Sequence, residues 1–508
     1  MKNIASIFSS LSSNRYMKIW GHFYFLLLTV AAAYFYQERL INFDSAHYTF
    51  QILQRHDFYV LHDRWVSYLT QWVPLLAQDL GFGLKTILIL YSGALMALIY
   101  LVYIIIAHVL KNFGAALLMI FVFGAMYRIK FYAGISEIIP SIAFSVLYIA
   151  FFTRDSAHRK PYPLTGYLWH AFFGLLIALS HPVPAFPVVG VYFFWLAYQE
   201  RLFQLDGWFK FLAFCTPLIL KYVNISSGSY ESNKMSLLES APDVLLHPGD
   251  YHVSKVMIDY FFNEHWMAWI FFFLSLIYVL VKKKYLAALI LFGTVLATFL
   301  LNFITFSYLK GDLKIMIDGY MVFLGIPLGF VPCFILSKTR WKQLLYPALI
   351  LFFCFNLVRM RTARKIFQDR LQLIEVTMDR YATAQDRILI TGFHQVEWHK
   401  LWYPYQFGSE SILLSTLKKG HENTCVMVAL QMEENEHVIQ ELNDKSFQEK
   451  TEYLSELRLF NQEKYPEAMF YLPQDSRAVY VYRPAWLSDN KILETNNWIK
   501  TQHGVEIK

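Results

Sequence analysis

Asp44 is the residue of this sequence that is best placed to do acid–base chemistry. It lies in the segment Asn42-Phe-Asp-Ser-Ala-His-Tyr48, directly after the first long apolar segment of the chain. A carboxylate at the mouth of an apolar helix bundle can accept a proton from a hydroxyl group, and His47, three residues later, is a candidate for binding the substrate. The alternative is that Asp44 is an ordinary solvated acid of a loop.

A second acid, Glu137, lies in the stretch from Tyr127 to Pro140, about one turn into another apolar segment. An unpaired charge there costs roughly 2.5 to 3.5 kcal/mol if it reaches the centre of a bilayer. Arg128 and Lys130 precede it, and the three side chains together could hold a phosphate with a metal ion or an acceptor hydroxyl. In the alternative, the two bases extend to lipid headgroups while Glu137 caps its helix.

Arg64 lies in the long polar loop of residues 37–85 and opens the stretch from Trp65 to Leu76, where apolar residues recur at helical spacing. Such a stretch suits a helix that lies in the membrane interface and roofs a cavity. The planar guanidinium of Arg64 favours bidentate binding of a phosphate. The histidines of this loop are an alternative candidate for a zinc site, although no two of them have the three- or four-residue spacing common among helix-borne ligands.

Three prolines within the stretch from Leu179 to Pro187 predict a sharp break between two apolar segments. A break exposes backbone polar groups, which then need a water-lined cavity or protein partners. His181 is the ionisable side chain at this break. It is therefore a candidate acid, base or phosphate ligand, with a simple hairpin histidine as the alternative.

The elements that must position these residues are apolar helices. Of the 508 residues, 56% are hydrophobic and only 16% are charged, and several apolar runs approach the roughly 20 residues that span a bilayer. This composition predicts an all-α polytopic membrane bundle. We expect about eleven spans, near residues 19–36, 86–108, 112–127, 134–152, 165–180, 184–198, 211–223, 266–281, 285–305, 319–336 and 343–358.

The distribution of charge predicts how these spans are oriented. The net charge of +7 comes from bases that cluster between spans, a pattern typical of helix orientation and not of nucleic-acid binding. With a cytoplasmic amino terminus, the basic clusters fall inside, and the loops 37–85, 224–265 and 306–318 fall outside together with the candidate residues. An odd number of spans then places residues 359–508 outside the cytoplasm.

We accordingly divide the chain into a transmembrane domain, residues 1–358, and a carboxyl-terminal soluble domain, residues 359–508. In the latter, a charged helix over about 360–383 precedes short apolar strands near 388–390, 426–430, 468–472 and 478–482, with a helical stretch over roughly 432–462. Alternating strands and helices predict an α/β or α+β module. It contains no Gly-rich phosphate-binding loop.

The arrangement of these motifs resembles the GT-C superfamily of polytopic glycosyltransferases, over about residues 17–200. The resemblance rests on Asp44 in the first outer loop, on Glu137 at the start of an apolar helix that ends in a base, and on the broken hairpin at His181. The most similar pattern is that of protein mannosyltransferases and lipid A aminoarabinose transferases. The chain has Ser45 where members usually carry a second acid, and Ser180 where they often carry a lysine.

The resemblance implies an inverting transfer of a sugar from a polyprenyl-phosphate carrier to a glycan, lipid or protein acceptor. It implies a multi-pass protein of the cell envelope, in the bacterial plasma membrane. Asp44 would be the catalytic base, while Arg64, Arg128 and Lys130 would hold the phosphate. Glu137 and His181 would orient the acceptor or complete the base network. No organic cofactor is required, and a divalent metal ion is compatible with the site but is not demanded by the sequence.

Two other classes of function remain open at this point. A noncatalytic membrane scaffold of the same fold, with the carboxyl-terminal module as a docking surface, would explain the missing second acid. A transporter would place ionisable residues near the middle of its spans, whereas here the spans are largely uncharged.

Overall fold

The computed structural model describes residues 14–155, 164–224, 232, 236–307, 314–392, 406–430, 436–454 and 469–481. These residues are mostly helical. Up to residue 224, the α-helices are α1 (Asn14–Tyr34), α2 (Tyr36–Leu40), α3 (Phe43–Arg55), α4 (Tyr68–Asp79), α5 (Leu84–Ile104), α6 (Phe113–Phe121), α7 (Ile138–Asp155), α8 (Leu164–Ser180), α9 (Ala185–Tyr198) and α10 (Leu205–Val223).

The second half of the described chain continues the helical pattern and adds three strands. Its elements are α11 (Ala241–Leu246), α12 (His252–Asp259), α13 (Trp266–Val281), α14 (Tyr285–Thr305), α15 (Lys314–Phe334), α16 (Lys342–Tyr381), β1 (Asp386–Gly392), α17 (Phe407–Lys419), β2 (Val426–Leu430), α18 (Glu436–Asp444), α19 (Phe447–Tyr453) and β3 (Arg477–Tyr480). Short π-helical turns extend α5, α6 and α12 at their carboxyl ends.

Several of these helices could span a membrane. Within the described residues, four are long and apolar enough, namely Leu84–Val109, Tyr285–Thr305, Met316–Lys338 and Lys342–Tyr381, and the bent pair α12 and α13 would make a fifth. Four shorter apolar helices accompany them, namely Phe113–Met126, Ile138–Arg154, Leu164–Ser180 and Ala185–Tyr198. Each apolar segment expected from the sequence overlaps a helix. The mainly helical class is thereby confirmed, together with helices of membrane-spanning length.

The proline-rich break lies where the sequence places it, between α8 and α9. The His181 amide donates to the carbonyl of Ile177 at 3.0 Å and ends α8, after which Pro182 and Pro184 cannot donate the next helical hydrogen bonds. Pro184 precedes the first residue of α9. The His181 side chain is thus held at the junction of two apolar helices.

Helix α16 is 40 residues long and joins the two regions that the sequence divides at residue 358. Its first half is apolar and its second half carries most of its charges, but no helix-ending signal separates them. At 1.5 Å per residue the helix is about 60 Å long, twice the thickness of a bilayer's hydrocarbon core. The boundary between residues 358 and 359 therefore falls inside a continuous helix.

The three strands form one parallel sheet in the order β2-β1-β3. Ile388 of β1 is in register with Val426 of β2 and with Ala478 of β3. Helix α17 packs on β2 and α18 packs on β3. Parallel strands with helical connections are typical of an α/β unit. The strand expected near residues 468–472 is not present over 469–472, the part of it that the structure describes.

Two hydrophobic cores underlie the fold. The first joins the apolar helices, whereas the second joins the sheet to α3, α4 and the start of α5. In the second core the rings of Phe50 and Phe470 lie 5.3 Å apart. The loop of residues 37–85 is consequently packed against the carboxyl-terminal strands and helices, and this packing sets the position of α3.

Candidate functional site

The Glu137 carboxylate is the centre of a group of polar side chains near the amino end of α7. Its Oε1 accepts a hydrogen bond from the Tyr48 hydroxyl at 2.6 Å, and its Oε2 lies 3.3 Å from Nη1 of Arg64. Burial alone would raise the pKa of Glu137, but Arg64, the Tyr48 hydroxyl and Lys130 together hold that pKa below its ordinary value. Glu137 is therefore an ionised, doubly tethered carboxylate.

A close backbone approach brings this segment to α2. The Gly134 amide donates to the carbonyl of Arg39 at 2.9 Å, and a Cβ atom at position 134 would lie only 2.6 Å from that carbonyl oxygen. Only glycine fits without a shift of one backbone segment. Arg39 is itself fully buried, with its guanidinium 4.4 Å from the centre of the Phe131 ring.

Lys130 lies in a short 3₁₀ turn, Ile129–Tyr132, that precedes Gly134. Its backbone amide donates to Oδ2 of Asp318 at 2.7 Å. Burial lowers the pKa of the Lys130 ammonium, although Asp44, Glu137 and Asp318 all act to raise it. Lys130 is thus a partly desolvated cation whose positive charge is offset by nearby carboxylates.

His181 faces the same group from the break between α8 and α9. Its side chain is 6% exposed, and its Nδ1 has no hydrogen-bond partner within the described residues. Burial holds the pKa of His181 well below its ordinary value, and the positive charges of Arg64, Lys221 and Lys130 lower it further. The imidazole is therefore neutral and keeps one ring nitrogen for a ligand.

Asp44 is the more accessible of the two candidate acids. It lies in the first turn of α3, is exposed, and interacts electrostatically with His47, Tyr48 and Lys130. Because its side chain is exposed, a hydroxyl group from solvent can approach Asp44.

His47 lies beside Asp44 and contacts Tyr59. Its Nε2 lies 3.3 Å from the Tyr59 hydroxyl. Burial lowers the pKa of His47, and the neighbouring Asp44 carboxylate only partly offsets that effect. We refer to the residues gathered here as the Glu137 cluster, which comprises Asp44, His47, Tyr48, Arg64, Lys130, Glu137 and His181.

Arg128 belongs to a different set of contacts. It forms an ion pair with Glu264, which also pairs with Arg359 of α16. Tyr260 and Asp318 interact electrostatically with Arg128 and complete that set. The structure therefore gathers six of the seven candidate site residues predicted from the sequence, and Tyr48 joins them. The seventh, Arg128, pairs with Glu264 outside the Glu137 cluster.

Glu410 and Arg370, both in the carboxyl-terminal half of the chain, help to position Asp44. Nothing in the sequence around them indicates this role. Oε1 of Glu410 accepts a hydrogen bond from the Phe43 amide at 2.5 Å, and both Glu410 oxygens lie 2.9 Å from Nε of Arg370. The Arg370 guanidinium lies 4.1 Å from the centre of the Phe43 ring. Phe43 has a φ of 42°, an unfavourable value for an aromatic residue, so these contacts hold a strained backbone directly before Asp44.

The cluster has the parts for proton transfer beside a developing anion. Asp44 can accept a proton, Lys130 and Arg64 provide positive charge, and the neutral His181 can orient a bound group. In the described residues no group of three or more His, Cys, Asp or Glu side chains could hold a metal ion. No protein-family model, curated protein or solved structure matches this chain.

Proposed function

We propose that this protein is a glycosyltransferase that moves a sugar from a polyprenyl-phosphate donor to an acceptor hydroxyl at the Glu137 cluster. The observation that carries the proposal is the electrostatic interaction of an exposed carboxylate, Asp44, with a half-buried cation, Lys130, beside a carboxylate, Glu137, that Arg64 and Tyr48 hold in place. A transferase of this kind needs a base for the acceptor and positive charge for the departing phosphate.

The reaction balances with these parts. Asp44 takes the proton of the acceptor hydroxyl as its oxygen attacks the anomeric carbon of the sugar. The bond between that carbon and the phosphate oxygen breaks, and the polyprenyl phosphate leaves with the electron pair. Lys130 offsets the negative charge that builds on the departing phosphate, and attack from the opposite side inverts the anomeric centre.

The other members of the cluster position these two residues. Arg64 and Tyr48 fix Glu137, whose negative charge acts on Lys130. His181 offers its unpartnered Nδ1 to a hydroxyl of the sugar or the acceptor. Arg128 holds the Ile129–Tyr132 turn through Glu264 and has no direct part in the reaction.

The proposal includes the membrane arrangement that the sequence predicts. The four long apolar helices, the bent pair, the four shorter helices and the additional helices α1 and α10 would together make eleven spans. The Glu137 cluster and residues 359–508 would then lie on the outer face of a bacterial plasma membrane. The prenyl chain of the donor would lie among the apolar helices, and no organic cofactor takes part.

The test uses the full-length protein in membrane vesicles, supplied with a polyprenyl-phosphate-linked hexose that carries a radioactive label in the sugar. Transfer moves the label out of the fraction that organic solvent extracts, whichever hydrophilic acceptor is used. Asp44→Asn should reduce this rate by about 10² to 10⁴-fold, the usual contribution of a general base. Asp57→Asn is the matched control, because Asp57 is an exposed acid of the same loop.

Three outcomes would redirect the assignment. Full activity of Asp44→Asn would remove Asp44 as the base. If neither the wild type nor Asp44→Asn cleaves donor, and both keep normal stability, a noncatalytic scaffold is favoured. Flux of the labelled donor across proteoliposomes without cleavage would favour a transporter.

A further inference from the structure

A basic cavity lies at the end of the helix bundle away from the Glu137 cluster. Its volume is about 630 Å³, within the range of roughly 300 to 1,000 Å³ that is usual for ligand pockets. Four of its lining side chains are cationic, namely Lys111, Arg154, Lys338 and Lys342. No acidic residue lines it among the residues that the structure describes.

The cations reach this cavity from three separate connections of the bundle. Lys111 lies between α5 and α6, Arg154 in the last turn of α7, and Lys338 and Lys342 at the turn from α15 to α16. All four carry like charge into one cavity, and a bound anion would offset that charge.

The walls between the cations are fixed by hydrogen bonds. The Asn112 side chain accepts from the Ala115 amide at 3.1 Å and donates to the Ala150 carbonyl at 2.9 Å and to the Thr153 hydroxyl at 2.8 Å. Asn112 thus caps α6 and ties it to α7 beside Arg154. A cavity with tethered walls binds a ligand at a lower entropic cost than a mobile surface does.

One helix amino end adds to the positive charge. Helix α6 starts at Phe113, which lines the cavity, whereas the first amides of α16 already donate to backbone carbonyls of residues 339–341. The amide groups and dipole of a helix amino end favour anions, above all phosphate. Together with the four side chains, this end makes the cavity suited to a group of two or more negative charges or to a phosphodiester.

The cavity and the Glu137 cluster lie at opposite ends of α7. Glu137 directly precedes this helix of 18 residues, whereas Arg154 is in its last turn. At 1.5 Å per residue the two ends are about 27 Å apart, close to the thickness of a bilayer's hydrocarbon core. The cavity would therefore open at the membrane surface opposite to the cluster.

We propose that this cavity binds a phosphate-bearing anion at that membrane surface. The chemistry is common to the headgroup of an anionic phospholipid and to a small soluble phosphate, and the cations lie where a headgroup would be. Basic pockets between transmembrane helices are a known mode of anionic headgroup recognition. The proposal is independent of the reaction at the Glu137 cluster.

The experiment is a binding titration on the purified full-length protein in neutral detergent. Native mass spectrometry would count bound phosphatidylglycerol, with phosphatidylcholine as the neutral lipid, and calorimetry would measure binding of inorganic phosphate. The double variant Lys111→Gln/Arg154→Gln should weaken binding of the anion by roughly 25-fold, because each basic residue near a membrane surface contributes about five-fold. Lys282→Gln/Lys283→Gln is the control, since these two exposed lysines line a different connection.

The pattern of binding identifies the source of the phosphate. Saturable phosphatidylglycerol binding that the cavity variant loses and the control keeps supports a lipid headgroup. Saturable phosphate binding with the same dependence on the variants, without lipid binding, supports a small soluble phosphate. Absence of both, or equal binding by the wild type and the cavity variant, overturns the proposal.

A second variant keeps the test decisive if the first fails to fold. Lys338→Gln/Lys342→Gln removes the two cations that the turn from α15 to α16 contributes to the same cavity, and it changes no residue of α6 or α7. It should cause a similar loss of binding. Wild-type binding should also weaken as salt rises, because added ions screen the cations. Salt-independent binding would contradict the proposal even without a variant.

Discussion

The ion pair between Arg64 and Glu137 makes a quantitative prediction about stability. The side chains are only 9% and 14% exposed, and their charged atoms lie 3.3 Å apart. With an effective dielectric constant of about 20, that separation corresponds to an attraction of about 5 kcal/mol before desolvation is subtracted. We expect a net coupling of about 2 kcal/mol, because burial of both charges offsets much of the attraction.

A double-mutant cycle measures this coupling. Arg64→Gln and Glu137→Gln should each lower the free energy of unfolding by about 3 kcal/mol, since each leaves one buried charge without its partner. The double variant should lose about 2 kcal/mol less than the sum of the two. The assay is unfolding of the purified protein in mixed micelles titrated with an ionic detergent, followed by tryptophan fluorescence.

An exposed ion pair of the same chain provides the control. Lys365 and Asp369 lie 2.8 Å apart on α16 and are 76% and 42% exposed. Their coupling should not exceed about 0.5 kcal/mol. If the cycle at Arg64 and Glu137 gives a coupling as small as this control, the pair does not hold the cluster together and the reasoning is wrong.

Three further perturbations test the structure. Glu410→Gln should lower the free energy of unfolding by about 3 to 5 kcal/mol, since it removes the negative charge of a buried ion pair with Arg370, and should slow donor cleavage by releasing the strained backbone before the candidate base. The pKa of His181 is lower in the folded state than in the unfolded state, so the unfolded protein binds the extra proton first as the pH falls. The free energy of unfolding should therefore be unaffected by His181 above about pH 6.5 and should decrease below it, by up to about 1.4 kcal/mol per pH unit. His181→Asn should therefore flatten the stability of the protein between pH 4 and pH 6.5, measured by the same unfolding assay. Gly134→Ala should cost about 1 to 3 kcal/mol because its Cβ would meet a carbonyl oxygen, whereas Gly293→Ala, which has open space in α14, should stabilise by about 1 kcal/mol.

Contrary results would be equally specific. A Glu410→Gln variant of wild-type stability would mean that the carboxyl-terminal half does not position α3. A pH slope that survives in His181→Asn would assign the titration to another group. Equal effects of the two glycine variants would show that residue 134 has more room beside α2 than the 2.6 Å between an added Cβ and the Arg39 carbonyl oxygen implies.

The sequence predicted the helical elements well because apolar composition acts locally. Runs such as 266–281 and 285–305 coincide with α13 and α14. The prolines after His181 end α8 where expected, because the loss of a backbone donor takes effect at the position of the proline itself. The strands over 426–430 and near 478 were also found, while residues 469–472 are not a strand.

The candidate site was predictable only in part, because contacts between distant segments of the chain leave no periodic pattern in the sequence. Glu137 and Lys130 were found from charge next to apolar segments, and Asp44 from its place after the first such segment. Arg128 lies two residues before Lys130, yet the path of the Ile129–Tyr132 turn directs it to Glu264. Glu410 lies more than 360 residues from Phe43 and could not be connected with it from sequence.

The sequence by itself determined that this protein is mainly helical, where its apolar helices and strands lie, and which few charges adjoin them. These properties, apart from the strand expected near residues 468–472, follow from local composition and from the chemistry of single residues. Only the tertiary structure decided that Asp44 is exposed while Glu137 is tethered, that α16 joins the two regions, and that four cations share one cavity. Those outcomes depend on which distant backbone segments pack together, and packing is set by the shape and burial of the whole chain.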